Sequence, residues 1–369
     1  MTSSDLYPVS RLAAVQEATA KGGLDALLLT PGPDLRYVSG YDAKPLERLT
    51  CLVVPAAGEP YMLVPRLELP AAEASPASRL GLEFVAWDET DDPYAIAAAR
   101  LGLPAKVGLA DRMWAMSSLR FREVLPGAEQ VLAGSVLREL RMRKSPAEVA
   151  ALREAGEAID AVHRQVPGLL RAGRTEREVA RDIAEAILAA GHATVDFVIV
   201  ASGPNGASPH HDVSDRVIQA GEPVVVDIGG QLHNGYCSDS TRVYSVGEPP
   251  AGFAAYYEVL RQAQEAACAA VRPGVTCESV DAAARDLIAA AGHGEHFVHR
   301  TGHGIGIETH EEPYIVAGNR EPLEPGHAFS VEPGIYLPGR HGARIEDIVV
   351  CTETGGERLN NTTRELVVV

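Results

Sequence analysis

Through the first 140 residues, short apolar runs alternate with Ala/Glu/Arg-rich stretches that repeat with a helical period. Leu24–Thr30, Thr50–Pro55, Pro60–Pro65, Leu82–Trp87 and Lys106–Ala110 read as strands, and segments 8–22, 66–76, 93–101 and 115–123 read as helices. This alternation predicts an α/β domain, and the stretch holds no paired acid, metal cluster or glycine-rich phosphate cradle. A new helix is expected at Ser145-Pro146-Ala147-Glu148. Ser145 suits the N-cap, Pro146 the first helical position, and Glu148 the third, where it completes a capping box. The domain boundary is therefore placed at 140 to 146, giving domains 1–140 and 141–369.

The second domain repeats itself. Arg171–His192 aligns without a gap to Arg272–His293, with a constant offset of 101 from Gly173 to Gly274, Thr175 to Thr276 and Val179 to Val280. Each copy reads as a turn glycine, a threonine cap and an amphipathic helix stopped by glycine. The echo continues as Gly221–Gly229 matches Gly326–Gly334, which pairs Asp227 with Glu332. Two related halves with carboxylates on corresponding strands predict a shared central cleft.

Nearly all chemically suggestive residues lie between 210 and 346. Val224–Val226 lead into Asp227, Asn234-Gly235 supplies a hairpin turn, and the returning strand carries Asp239. Such a hairpin brings the two acids together, where they repel unless protons or cations neutralise them. His299, His303 and His310 follow among Gly302, Gly304 and Gly306, a spacing that excludes a zinc-peptidase helix and lets backbone approach closely. Glu332 and Glu346 each border an apolar run, and turn signals at Pro333-Gly334 and Pro338-Gly339 predict a hairpin between them. Alternation places Arg344 on the face of Glu346, where a guanidinium holds a ligating carboxylate. Asp227, Asp239, His303, Glu332 and Glu346 form an oxygen-rich set with one nitrogen. That set suits two Mn²⁺-like ions about 3.5–4 Å apart, and a lone structural zinc would show more Cys or His.

A length of 369 residues fits two domains, and 50 acidic against 33 basic residues leave a formal net charge of -17. That field argues against a nucleic-acid partner. Cys51, Cys237, Cys268, Cys277 and Cys351 contain no CxxC pair and read as reduced thiols of a cytoplasmic protein. The N-terminal segment Met1–Gln16 lacks the basic-then-apolar order of a leader, and no apolar stretch is long enough to predict a membrane span.

Together with Ser202–Arg216, these segments resemble the pita-bread metallopeptidases: methionine aminopeptidases, Xaa-Pro aminopeptidases and prolidases. The likeness covers essentially the whole chain and is strongest to actinobacterial Xaa-Pro dipeptidases. It implies a small creatinase/prolidase-type N-terminal α/β domain, then a duplicated α+β catalytic domain around two metals. It further implies that Asp227 chelates one ion, that His303 and Glu332 bind the other, and that Asp239 and Glu346 bridge both. His210 and His310 match the substrate-side histidines, Arg344 and Thr241 sit behind the ligands, and Tyr336 matches the tyrosine after Glu-Pro-Gly. A homodimer acting on short proline-containing peptides is implied as well. The Asp227–Asp239 segment is one residue longer than in some prolidases, within the expected turn.

The expected reaction is metal-assisted hydrolysis of the bond before proline in Xaa-Pro dipeptides, with Glu332 moving the proton. Mn²⁺ is the first choice of ion, with Co²⁺ or Zn²⁺ also compatible. Two other readings stand beside it: an Xaa-Pro aminopeptidase that trims longer peptides, and a peptide-binding protein that keeps the fold without catalysis. A dipeptidase needs a cationic contact for the free C-terminal carboxylate, for which Arg340 and His341 are candidates.

Overall fold

The computed structural model describes residues 6–369, so the first five residues of the Met1–Gln16 segment lie outside the described residues. The chain divides into two compact units, one ending at Arg141 and one running Met142–Val369.

The first unit is built on a six-stranded sheet in the order β4-β3-β2-β1-β5-β6. Its strands are β1 (Ala26–Leu29), β2 (Cys51–Pro55), β3 (Tyr61–Pro65), β4 (Glu83–Trp87), β5 (Lys106–Leu109) and β6 (Glu129–Leu132). Helices α1 (Val9–Lys21), α2 (Pro33–Ser39), α3 (Leu69–Ala74), α4 (Pro93–Leu101), α5 (Ala115–Val124) and α6 (Gly134–Met142) connect or follow them. Alternate strand residues Ala26, Leu28, Cys51, Val53, Leu63 and Val107 share a core with Tyr94, Ala97 and Phe121 of α4 and α5. All five expected strands and four expected helices form within a few residues of their expected ends. Pattern reading missed β6, whose Glu129–Leu132 is too short and exposed to alternate clearly, and α2, which starts on Pro33.

The second unit opens on α7 (Pro146–His163), where the capping box forms in both directions between Ser145 and Glu148. After the short α8 (Val166–Leu169) come α9 (Glu176–Ala189), β7 (His192–Ser202), β8 (Glu222–Leu232) and β9 (Cys237–Val246). Helices α10 (Phe253–Ala270) and α11 (Cys277–Ala290) lead into β10 (Gly302–Gly304), β11 (Glu311–Ile315) and β12 (Ala328–Val331). The chain ends with β13 (Gly334–Leu337), β14 (His341–Arg344), β15 (Asp347–Cys351), β16 (Gly356–Arg358) and β17 (Val367–Val368).

The repeat is structural. Helices α9 and α11 start and stop at the same 101-residue offset, each capped by its threonine, Thr175 or Thr276. Their entry turns are bound to equivalent segments of chain: Gly173 N donates to Ile218 O at 2.9 Å, and Gly274 N donates to Leu323 O at 2.8 Å. Thr175 bridges to Val217, and Thr276 bridges to Pro322. Antiparallel β7-β8-β9 in one half corresponds to antiparallel β10-β12-β15 in the other. Each half has its own core: Val179, Ile183 and Ile187 under β8, and Val280, Ala284 and Ile288 under β12.

Candidate active site

One strand-and-turn unit in each half carries two of the acids. Leu232 accepts from Gly235 N at 2.9 Å, and Gly235 takes φ +95, so the Asn234-Gly235 turn closes the β8–β9 hairpin. In its register Asp227 faces Thr241 and Asp239 faces Gly229, so the acids are diagonal neighbours on one sheet face. In the other half Glu332 follows β12, the β13–β14 hairpin intervenes, and Glu346 precedes β15. Glu346 N donates to Thr241 O at 3.2 Å, which joins the two halves between their acids.

His303 enters from β10. The glycines around it permit close packing: a Cβ on Gly302 would lie 1.8 Å from Ser330 O, and one on Gly304 would lie 2.2 Å from Glu312 O. Ser330 Oγ accepts from His303 N at 3.0 Å and donates to Glu332 Oε1 at 3.0 Å. His303 Nδ1 faces Gly304 O at 3.1 Å, which makes Nδ1 the donor and leaves Nε2 aimed at Glu332 Oε1 at 3.2 Å and Asp239 Oδ2 at 3.6 Å.

Three overlapping sets bring their ligand atoms within 4.8 Å of one another: Asp227 with Asp239 and Glu346, His303 with Glu332 and Glu346, and Asp239 with His303 and His310. All five expected ligands therefore meet, and His310 joins them, its ring centroid 4.1 Å from that of His303. His210 lines the same cavity, about 770 Å³ in volume, but belongs to none of these sets.

Electrostatics favour a cationic guest. Burial, then the charge of Asp227, raises the Asp239 carboxyl well above the usual carboxylate range. Burial, then the charge of Asp239, does the same to Glu346. Burial also opposes ionisation of Glu332, yet the hydrogen bond and charge of His303 outweigh it and hold that carboxyl at about 2. Burial lowers His310 to about 4, so its imidazole is neutral near pH 7. Asp227 Oδ1 is buried without a hydrogen-bond partner. An orphaned carboxylate oxygen among mutually repelling acids, with one imidazole opposite, fits divalent cations.

Behind these acids, Arg344 Nη2 donates to Asp227 Oδ2 at 2.5 Å, Nη1 to Tyr336 Oη at 2.8 Å, and Nε to Thr241 Oγ1 at 3.1 Å. Thr241 Oγ1 in turn donates to Glu346 Oε2 at 2.7 Å. Strand alternation anticipated a direct Arg344–Glu346 contact; the guanidinium instead holds Asp227 and reaches Glu346 through Thr241. His299 stands apart from the ligand sets, bonded to Tyr336 Oη at 2.8 Å and Arg300 O at 2.7 Å.

Two anchors escaped sequence reading. Glu176 is fully buried at the start of α9 and accepts from Ser202, Asn205, His211 and Ser214, pinning the segment that carries His210. In the other half Asp281 of α11 accepts from Thr301 N and Oγ1 and pairs with Arg285. Each sits in a helix where an acid is ordinary. The other missed signal concerns the carboxylate contact: Arg340 is exposed and His341 is bonded to Tyr256 Oη at 2.9 Å, and neither lines the cavity.

The five cysteines are buried free thiols, and no described helix is long and apolar enough to cross a membrane.

Residues 150–353 match metallopeptidase family M24, and residues 11–143 match the creatinase/prolidase N-terminal domain. The chain is 57% identical to a probable dipeptidase PepE of Mycobacterium tuberculosis over 97% of this chain and 96% of that protein. It is 34% identical to an Xaa-Pro dipeptidase of Lactobacillus delbrueckii subsp. lactis, over 97% of this chain and 98% of that protein. The crystal structure of dipeptidase PepE from Mycobacterium ulcerans superposes with a TM-score of 0.92 at 57% identity, over 98% of this chain and 97% of that one.

Proposed function

We propose that this chain, which belongs to metallopeptidase family M24, is a metal-dependent dipeptidase that hydrolyses the bond before proline in Xaa-Pro dipeptides. The observation that carries this reading is the convergence of Asp227, Asp239, His303, Glu332 and Glu346 in overlapping ligand-competent sets at the floor of one cavity. The cavity, at about 770 Å³, is of the size that encloses a small ligand.

Asp227, Asp239 and Glu346 would hold one divalent ion; His303 and Glu332 would hold a second, with Asp239 and Glu346 shared. When bound, such ions supply an acidified water and polarise the scissile carbonyl. Glu332 lies beside His303 with one carboxylate oxygen accepting from Ser330 Oγ, and is the group placed to take the water's proton. It then delivers that proton to the departing prolyl nitrogen, which as a tertiary amide brings no hydrogen of its own. His310, neutral near pH 7, is suited to donate a hydrogen bond to the carbonyl oxygen, with His210 on the same cavity wall. Arg344 and Thr241 keep Asp227 and Glu346 in place through turnover.

The finer parts of this proposal are Mn²⁺ as the ion, a cytoplasmic location and a homodimer. The oxygen-rich donor set supports Mn²⁺. Free, buried thiols support a reducing compartment. The dimer rests on the family resemblance.

Metal-stripped protein restored with Mn²⁺ should hydrolyse Ala-Pro much faster than Ala-Pro-Ala. Preference for the tripeptide would make the chain an aminopeptidase. Cleavage of neither with Mn²⁺, Co²⁺ or Zn²⁺ would leave the non-catalytic reading.

A further inference from the structure

We infer that Arg300 is the counter-charge for the substrate's C-terminal carboxylate and so sets selectivity for dipeptides, an inference that rests on the dipeptidase reading above. A zwitterionic dipeptide presents an ammonium group at one end and a carboxylate at the other, barely two residues apart. The cavity floor is acidic, with Asp227, Asp239, Glu332 and Glu346, so a carboxylate needs a cation elsewhere on the wall.

Most of the basic side chains lining the cavity are already engaged. Arg344 serves Asp227, Thr241 and Tyr336. His211 is bonded to Glu176 at 2.9 Å, His299 to Tyr336, and His303 to Glu332. His310 packs edge-on against His303, with ring centroids 4.1 Å apart. Arg300 differs from all of these. It lines the cavity, its guanidinium lies 4.4 Å above the Tyr314 ring, and no carboxylate among the described residues pairs with it. Its planar guanidinium fork matches a carboxylate.

The position is also fixed in advance. Tyr314 is the cross-strand partner of His303, so the aromatic support under Arg300 stands on the same sheet face as a metal-ligand candidate. On one side of Arg300, Arg285 donates to Phe297 O at 3.1 Å and to His299 O at 2.8 Å. On the other, Asp281 accepts from Thr301 N at 3.2 Å and from Thr301 Oγ1 at 2.7 Å. Asp281 is 1% exposed, and its pairing with Arg285 ties both supports to α11. A clamped backbone and a stacked guanidinium leave little ordering to be done when substrate arrives.

The experiment compares Ala-Pro with its C-terminal amide, Ala-Pro-NH₂, on metal-loaded wild type, Arg300→Ala and Arg300→Lys. Wild type should prefer the free acid by about 10²-fold in kcat/KM, as expected for one charge-assisted contact. Arg300→Ala should lose about that factor on Ala-Pro, chiefly through KM, and change little on the amide, so that the preference collapses. Arg300→Lys, which keeps the charge without the fork, should fall between them and guards against a folding defect in the alanine variant. Equal loss on both substrates, or an undiminished preference for the acid in Arg300→Ala, would overturn the assignment while leaving the dipeptidase reading intact. Wild type that cleaves Ala-Pro-Ala but not Ala-Pro would overturn that reading itself.

Discussion

Arg344 holds Asp227 through a 2.5 Å bond from Nη2 and, through the Thr241 hydroxyl, also holds Glu346. One buried guanidinium thus orients an acid from each structural repeat. Arg344→Met keeps most of the side-chain length and removes both links. The expected outcome is a fall of about 10- to 100-fold in metal affinity or in kcat/KM. A Mn²⁺ titration of activity checks it, and an unchanged half-activation concentration with unchanged turnover would refute the positioning role.

Glu332 combines two properties that no other acid of the site shares: a hydrogen bond from Ser330 Oγ, and a carboxyl held low by His303 against its burial. Glu332→Gln keeps the size and one oxygen but cannot carry a proton. Turnover should fall by about 10²- to 10⁴-fold on Ala-Pro. Ion uptake measured by calorimetry separates loss of proton transfer from loss of metal; near-normal turnover with ions bound would exclude Glu332 as the base.

How much of this was legible in the sequence depends on what each residue's role requires of its neighbours. The 101-residue repeat was visible because caps, glycines and helix length recur in order, and the paired turns at Thr175 and Thr276 are its direct expression. The four acids and one imidazole of the site were legible because each borders an apolar run or turn or sits among glycines, where a bland solvated residue is out of place. Arg300 was not, since an arginine next to a histidine looks no different from Arg340 until the fold exposes one and turns the other into the cleft. Glu176 and Asp281 were invisible for a related reason: their partners lie in distant loops, and within α9 and α11 they satisfy helix rules equally well as surface acids.

The crowding of Asp227, Asp239 and Glu346 makes the metal-free site a source of instability. Asp239 and Glu346 have carboxyls raised by burial and mutual repulsion, so ionising them costs stability in the absence of cations. Metal at about 100 times its dissociation constant should stabilise the fold by about 2.7 kcal/mol. For a unit of this size that corresponds to roughly 5–10 °C in Tm. Thermal melts with EDTA and with Mn²⁺ check this. Asp239→Asn should melt higher than wild type when both are stripped, and should lose most of the metal-dependent gain.

His163 offers a test remote from turnover. The side chain is 2% exposed on α7; its Nε2 donates to Ser240 O at 3.1 Å, and its Nδ1 faces the Tyr244 hydroxyl at 3.0 Å. Burial, then the charge of Arg242, depresses its pKa from 6.5 to about 3, so the ring is neutral in the folded chain. The unfolded chain takes up a proton below about pH 6.5 and the folded one does not. The stabilisation is therefore full above that value and is lost as pH falls toward 3. At pH 5 the loss relative to pH 7.5 is about 2 kcal/mol. His163→Gln keeps a donor for Ser240 O and does not titrate. Urea-unfolding free energies of the two proteins at pH 7.5 and pH 5 should therefore differ in their pH dependence by about that amount, with wild type falling more. Parallel losses in the two proteins would mean that His163 is already protonated inside the fold.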